Sequence, residues 1–320
     1  MFFYFVATLI PTFALACIRP EDWNERGAII MSLVVGTLFV ILANWMLATG
    51  RGQEWIDQEI VTLNGGRQSF ERLNPILLGH TAVTVVLICV SLIINDSSRK
   101  FQLVLACIIV PSIYTVYLAA SRGPILALIA GLALLIISNK RGLVIAIASI
   151  CCIAGMTIFS SIDLQTLLEQ MRFTNAGTDN NSIARIDYIY EAFDAFLTSP
   201  IIGTGFELPI TGGWPHNVFI EVLMAMGLLG MAVFLAVLVP ASVQTLKGAR
   251  HGTHFAGILF IQIFVGAQFS GSLWGTAELW VGMALVLARL KEKPDTTVRT
   301  GDFRYQEVRA HQRTSSRLQR

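Results

Sequence analysis

The chain has 320 residues, of which 54% are hydrophobic and only 14% are charged, with a mean hydropathy of +0.64 and a formal net charge of +2. Soluble globular domains usually contain about 25% charged residues. The composition therefore excludes a soluble Rossmann or barrel enzyme, a disordered chain and a disulfide-stapled secreted domain. It leaves a polytopic membrane protein.

Apolar runs that approach the thickness of a bilayer recur along the chain. A hydrocarbon core about 30 Å thick needs roughly 20 helical residues. Nine runs come near this length: 2–18, 28–48, 75–94, 101–119, 123–138, 142–160, 217–243, 254–270 and 274–290. Because lipid offers no partners to backbone groups, helices are the expected form. The predicted fold class is an all-α polytopic bundle of about nine transmembrane helices, of which one or two are tilted, re-entrant or interfacial.

The Lys and Arg residues divide unequally between the two sides of this bundle. When the loops are assigned to alternate sides, 17 of the 23 cations fall on one side, which includes the C-terminal tail. Cytoplasmic loops are enriched in such cations. A cytoplasmic C-terminus is therefore expected, and nine spans then place the N-terminus outside. This unusual start without a leader indicates a chain shortened at its N-terminus or a span count wrong by one.

Three long stretches stand outside the runs, and residues 49–74 form one of two predicted external loops. Residues 161–216 form a predicted external loop of 56 residues with seven acids and two cations, and loops of this length are usually functional. Residues 291–320 carry eight cations and four acids, which predicts a disordered basic cytoplasmic tail. The chain thus divides into a helical bundle over 1–290, with the external loop included, and a tail over 291–320.

Within the external loop, residues 183–197 have the pattern of an amphipathic helix. Their apolar positions form one stripe: Ile183, Ile186, Ile189, Tyr190, Phe193, Phe196 and Leu197. Asn181 or Ser182 is expected to cap the helix, and Ser199-Pro200 to end it. The stripe either packs on the bundle or lies in the membrane interface.

Arg185 is conspicuous because its own helix offers it no acidic neighbour. Asp187, Glu191 and Asp194 fall on the opposite face, and the residues three and four positions away are uncharged. Arg185 therefore pairs with a carboxylate elsewhere, snorkels to lipid headgroups, or binds an anionic substrate.

Arg122 lies between two apolar runs in Ser121-Arg122-Gly123-Pro124. A charge at membrane depth is costly and marks a functional site by default. Gly123-Pro124 is expected to break one helix and to begin the next. An arginine beside free helix amides suits a phosphate, and the alternative is a turn arginine at the level of the headgroups.

The third candidate is His216 in Trp214-Pro215-His216-Asn217, at the external mouth of run 217–243. Histidine accepts a proton near neutral pH, although a histidine here also suits a capping or interfacial role. Glu221 lies one turn below Asn217 inside an apolar run, so we expect it to have a polar partner. Two arginines and a histidine on one side are able to hold a diphosphate and to deprotonate a neighbouring hydroxyl.

These motifs resemble those of the bacterial O-antigen ligase and polysaccharide polymerase (Wzy-C-like) superfamily. The match runs from about Arg67 to Gly230, roughly half of the chain. Its pieces are Ser121-Arg122-Gly123, Ala184-Arg185, Pro200-Ile-Ile-Gly203-Thr-Gly205, Pro215-His216-Asn217 and Gly227-Leu-Leu-Gly230. Each piece is weak alone, and their order, spacing and large external loop carry the resemblance. Family members often have more spans, and the missing ones would be N-terminal.

The resemblance implies an enzyme of the bacterial inner membrane that acts at the periplasmic face. It would transfer a glycan from an undecaprenyl-diphosphate carrier to lipid A-core or another glycan acceptor, by inversion and without metal or cofactor. Arg122 and Arg185 would bind the diphosphate, and His216 would be the general base. The expected substrate-binding residues are Ser121, Asn217, Glu221 and, by a looser match, Arg67.

Three alternatives remain open. A polymerase that joins lipid-linked repeat units would use the same residues. A transporter or flippase would favour charges near the bilayer midplane and inverted repeats, and neither is evident in the sequence. A structural subunit would leave the arginines and the long loop unexplained. Membrane lipids are expected partners, and nucleic acid is not.

Overall fold

The computed structural model describes residues 25–49, 75–95, 98–119, 121–138, 180–250, 255–270, 272–273 and 275–288. The regular elements in these ranges are all helices: α1 (Glu25–Ala48), α2 (Pro75–Asn95), α3 (Arg99–Leu118), α4 (Arg122–Ser138), α5 (Asn180–Thr198), α6 (Val218–Arg250), α7 (Phe255–Gly266) and α8 (Ala277–Ala288). Predicted runs 2–18 and 142–160 and the predicted tail 291–320 lie outside the described residues.

Seven of the nine predicted runs coincide with described helices. Helices α1, α2, α3 and α6 are long and apolar enough to cross a membrane, whereas α4, α7 and α8 are shorter apolar helices. The chain is therefore a multi-pass helical membrane protein. The total of nine spans stays a prediction.

The last two predicted runs, 254–270 and 274–290, are separated by a longer non-helical stretch than expected. The helix of run 254–270 ends at Gly266, and the helix of run 274–290 begins only at Ala277. Glycine and serine residues in this stretch favour turns over helix. Residues 267–276 are named the α7–α8 connection below.

Helix α2 lies at the centre of the largest hydrophobic core and packs against α1, α3 and α4. Small residues allow close approach: Gly36 of α1 lies against Val85, and Gly131 of α4 lies against Leu87. Lipid provides no hydrophobic force between helices, so such close packing supplies much of the attraction.

Contacts between helix ends define one end of this bundle, which we name the upper end. The side chain of Asn44 in α1 donates to the Thr115 hydroxyl of α3 at 2.7 Å. Gly79 of α2 lies against Ala119 and Pro124. The ends of α1 and α3 and the starts of α2 and α4 therefore meet here. Helices α1 to α4 therefore alternate in direction.

Helix α5 extends beyond its predicted range of 183–197 at both ends. It begins at Asn180, so the predicted caps Asn181 and Ser182 lie inside the first turn, and that capping prediction was wrong. Polar residues are tolerated there because first-turn amides lack helical partners. The predicted stop after Thr198 is confirmed.

Candidate functional site

Arg185 reaches from α5 to the α7–α8 connection. Its Nη1 donates a hydrogen bond of 2.7 Å to the backbone carbonyl of Phe269. A carbonyl has no net charge, so this bond orients the guanidinium without neutralising it. The bond thus fixes the guanidinium of Arg185 at the upper end.

Arg122 begins α4 directly beside the same connection. A methyl group placed on Gly123 would lie 3.6 Å from Cβ of Phe269 and 3.8 Å from Oγ of Ser270. The prediction that Gly123-Pro124 begins a helix is confirmed, and Ser121 before it is buried. The start of α4 and Arg185 therefore meet at Phe269, and the positive dipole end of a helix start favours an anion.

His216 lies two residues before the start of α6, close to α5. Its imidazole lies 6.3 Å from the ring of Tyr188 and 6.0 Å from the ring of Trp214, measured between centroids. Its Nδ1 is buried. The backbone φ of His216 is +55°, a conformation that costs energy for a residue with a Cβ. A strained backbone and two rings thus fix the imidazole between α5 and the start of α6.

Asn217 caps α6. Its Oδ1 accepts hydrogen bonds from the backbone amides of Phe219 at 3.1 Å and Ile220 at 3.2 Å. These are the bonds of an N-cap residue, which satisfy amides that the helix itself leaves free. The capping role considered for His216 therefore belongs to its neighbour.

Glu221 is only 1% exposed and has the polar partner that was expected. Its Oε2 accepts a 2.7 Å hydrogen bond from the backbone amide of Leu273. The carbonyl of Leu273 in turn accepts from Nε1 of Trp280 at 2.9 Å. The α7–α8 connection is thereby held to α6 on one side and to α8 on the other.

His80 also lies at this end, although the sequence suggested no role for it. Its imidazole packs against Gly266 at the end of α7, and Nε2 would lie 3.7 Å from a methyl group on Gly123. His80 is thus one of the packing groups that bring α2, α4 and α7 together. Arg67, the remaining predicted binding residue, lies outside the described residues.

Two glycine motifs that are far apart in sequence meet in space. Residues 200–204 dock into an interruption of α6 at Gly227, which has φ +62° and ψ −160°. Methyl groups on Gly203 and Gly227 would overlap the backbones of Ala225 and Ile201, respectively. We name residues 200–204 and 224–229 the glycine clamp.

Backbone hydrogen bonds close the clamp. The amide of Thr204 donates to the carbonyl of Met224 at 2.8 Å, and the amide of Leu228 donates to the carbonyl of Pro200 at 2.8 Å. The carbonyl of Met224 and the amide of Leu228 lack their usual partners within the helix because α6 is interrupted at Gly227. These two bonds give them partners instead. Because α5 ends just before the clamp, the clamp fixes the helix that carries Arg185 to the helix that follows His216.

The structure therefore brings Arg185 and the start of α4 to Phe269, and it brings Glu221 to Leu273. The sequence did not single out Phe269 or Leu273. The only sequence signal for these parts was a cluster of serine and glycine inside an apolar stretch, including Ser270 and Ser272.

A protein-family model described as Wzy_C, O-antigen ligase, matches residues 105–235. The matched region begins in α3, ends in α6 and includes Arg122, Arg185, His216 and the whole glycine clamp. The α7–α8 connection lies outside it. No curated protein matches the chain. The matched region, which is less than half of the chain, is therefore similar to the Wzy_C domain of the O-antigen ligase and polymerase family.

Proposed function

We propose that the chain is a membrane glycosyltransferase. It transfers a glycan from an undecaprenyl-diphosphate carrier to lipid A-core or another glycan acceptor at the periplasmic face of the inner membrane. The observation that carries the proposal is the bond from Arg185 to the Phe269 carbonyl beside the start of α4. This bond supports a position of the Arg185 guanidinium next to the helix start that bears Arg122.

The proposed task of Arg122 and Arg185 is to bind the diphosphate and to stabilise the charge that develops as it leaves. Guanidinium groups match phosphate oxygens with paired, charge-assisted hydrogen bonds. The start of α4 adds the positive end of a helix dipole. Fixed donors of this kind stabilise a transition state without reorganising during the reaction.

The proposed task of His216 is to act as general base. Because Nδ1 is buried, Nε2 is the nitrogen assigned to accept the proton of the acceptor hydroxyl. The hydroxyl oxygen then attacks the anomeric carbon of the glycan. The bond from this carbon to the diphosphate oxygen breaks, and undecaprenyl diphosphate leaves with the bonding electrons. Attack from the side opposite the leaving group inverts the anomeric centre.

Four further residues belong to the proposed site in supporting roles. Ser121 precedes Arg122, and Asn217 sets the start of α6 beneath His216. Glu221 holds the α7–α8 connection in place. Arg67 remains a proposed ligand of the donor on the strength of the sequence match alone.

A transfer assay with purified protein in lipid nanodiscs tests the proposal. The donor is an undecaprenyl-diphosphate glycan, and the variants are Arg122→Ala, Arg185→Ala and His216→Ala. Removal of one fixed electrostatic contact typically costs ~10²–10³ in rate, and we expect losses of at least this order. Arg99→Ala is the matched control, because Arg99 starts α3 at the opposite end of the bundle. Full activity in all three site variants would overturn the mechanism.

Two acceptors offered in parallel separate the possible reactions. Elongation of lipid A-core indicates a ligase, and elongation of a second lipid-linked repeat indicates a polymerase. Movement of the donor across vesicle membranes without any transfer would instead support a flippase. Because the proposed mechanism uses no metal, EDTA is expected to leave the transfer rate unchanged.

A further inference from the structure

Helix α5 has an apolar face that no described part of the protein covers. Five apolar side chains are exposed at successive helical spacings of three and four residues: Ile183, Ile186, Tyr190, Phe193 and Leu197. Tyr190, at the middle of the row, is 67% exposed. An apolar row of this length is costly in water, at roughly 25 cal/mol for each Å² exposed.

The other two faces of α5 have different surroundings. Ala192 and Ala195 are buried and form a small core with Leu208 and Met224. Asp187 and Asp194 are exposed beside the apolar row. The helix thus has one face on protein, one acidic face and one exposed apolar face. This is the pattern of a helix at a boundary between protein, water and lipid.

The interruption of α6 at Gly227 indicates the level at which α5 lies relative to the membrane surface. The part of α6 after Gly227 has roughly 23 residues and measures about 34 Å at 1.5 Å per residue. This length alone crosses a hydrocarbon core about 30 Å thick. Gly227 therefore lies near the membrane surface. The glycine clamp places Pro200 and Ile201, just beyond the end of α5, at the same level.

The apolar surface is also continuous from α6 to the end of α5. Leu228 and Leu229 are exposed on the part of α6 that crosses the membrane. Their amides donate to the carbonyls of Pro200 and Ile201. Ile201 and Ile202 are exposed as well, Ile202 by 68%. Lipid that covers Leu228 and Leu229 therefore also reaches the end of α5.

From these observations we propose that α5 is an in-plane membrane helix, whose exposed apolar face is covered by the hydrocarbon chains of the lipid leaflet at the upper end. Asp187 and Asp194 then face the aqueous side. If the proposed function holds, Arg185 lies at the depth of lipid phosphates, and a lipid-linked diphosphate reaches it without leaving the membrane.

Site-directed spin labelling tests this position without measuring glycan transfer. The five native cysteines are replaced by alanine, and single cysteines are introduced as Ile186→Cys, Phe193→Cys and Asp194→Cys. The native side chains at these positions are exposed, so a label displaces no packed group. Leu229→Cys serves as the reference for contact with lipid. The protein is reconstituted in phosphatidylethanolamine–phosphatidylglycerol vesicles.

Collisions of the label with oxygen, which concentrates in lipid, are compared with collisions with a water-soluble nickel chelate. We expect the oxygen-to-nickel ratio at Ile186→Cys and Phe193→Cys to match that at Leu229→Cys and to exceed that at Asp194→Cys several-fold. High nickel access at the apolar positions would overturn the proposal, because the face would then lie in water. Low access to both reagents would also overturn it, because protein, such as a second copy of the chain, would then cover the face.

This outcome is independent of the proposed function. Lipid contact at α5 in a protein that transfers no glycan would leave the position of α5 supported and the enzymatic proposal refuted. High nickel access at the apolar face of α5 in a protein that transfers glycan would refute the position of α5 and leave the enzymatic proposal supported.

Discussion

The carboxylate of Glu221 and the backbone amide of Leu273 are joined by a buried 2.7 Å hydrogen bond. It connects the first turn of α6, directly after His216, to the segment whose Phe269 carbonyl orients Arg185. Through this segment, Glu221 links the proposed base to one of the two proposed diphosphate ligands. We therefore treat Glu221 as a positioning residue.

The first prediction concerns substitution of Glu221. In Glu221→Gln the side-chain carbonyl can still accept from Leu273, so most of the transfer activity is expected to remain. Glu221→Leu leaves this amide buried without its acceptor, which costs about 1–3 kcal/mol. It should also lower the transfer rate, because Arg185 loses its fixed carbonyl.

A double-mutant cycle separates positioning from general destabilisation. The rate losses of Glu221→Leu and Arg185→Ala are expected to be strongly non-additive, since both act through the α7–α8 connection. Glu221→Leu and the control Arg99→Ala should combine additively. If the fold losses in transfer rate of Glu221→Leu and Arg185→Ala simply multiply in the double variant, Glu221 does not act through Arg185.

The second prediction concerns the glycine clamp. Gly203→Ala and Gly227→Ala place a methyl group against backbone, where no side-chain rotation relieves the overlap. Both glycines also have positive φ, and Gly227 lies in a region used almost only by glycine. Each substitution is expected to cost more than the 1–3 kcal/mol typical of backbone strain alone, and to lower the midpoint of thermal unfolding in detergent.

Gly212 provides the matched control for the clamp. Its φ is +68°, and a methyl group there would meet no atom within 4 Å. Gly212→Ala therefore measures the cost of backbone conformation without overlap, and we expect a smaller shift in the unfolding midpoint. Equal shifts in all three variants would indicate that close approach within the clamp contributes nothing.

The third prediction concerns the cap of α6. Asn217→Ala removes the acceptor for the amides of Phe219 and Ile220, at an expected cost of about 0.5–2 kcal/mol. Asn217→Asp keeps the acceptor and adds a negative charge that the helix start favours. Its thermal stability should match that of the unmodified protein. A transfer rate that falls in Asn217→Asp despite normal stability would point instead to a direct substrate contact of the amide.

The sequence predicted the described helices well because their signal lies in side chains. Runs of apolar residues continue until polar residues interrupt them, and α1, α2, α3 and α6 follow this rule. Helices α3 and α6 even continue through Pro111 and Pro240, respectively. The rule failed at the α7–α8 connection. The mean hydropathy of this stretch is high because it contains Phe269, Leu273 and Trp274. Its glycine and serine residues nevertheless favour turns over a continuous helix.

In the candidate site, too, side chains were easier to recognise from the sequence than backbone contacts. Arg122, Arg185 and His216 were recognisable because charge is scarce in this chain and because their motifs resemble a family. The partners of Arg185 and Glu221, Phe269 and Leu273, were not recognisable. Their interacting atoms are a backbone carbonyl and a backbone amide, which almost every residue has. Likewise, a glycine pattern signals special backbone geometry, but it does not reveal that Gly203 and Gly227 belong to one contact.

The fourth prediction concerns Glu191 on the acidic face of α5. Its Oε1 accepts from the backbone amides of Ile210 at 2.6 Å and Thr211 at 3.1 Å, and its Oε2 accepts from the Thr211 hydroxyl at 3.0 Å. Desolvation alone would raise the pKa of Glu191, but these three donors outweigh it and leave the pKa below its ordinary value. The ionised carboxylate therefore tethers the loop around residues 208–213.

The sign of the pH dependence follows from this lowered pKa. The tether is fully formed above the unfolded-state pKa of about 4.3 and is lost as the pH falls through the lower folded-state value. Limited proteolysis of the loop around residues 208–213 is therefore expected to be slow at pH 7 and faster in strongly acidic buffer, measured with an acid-stable protease. Glu191→Gln should be cleaved faster at pH 7, and the difference from the unmodified protein should shrink in acid. A constant difference across this range would mean that ionised Glu191 does not hold the loop.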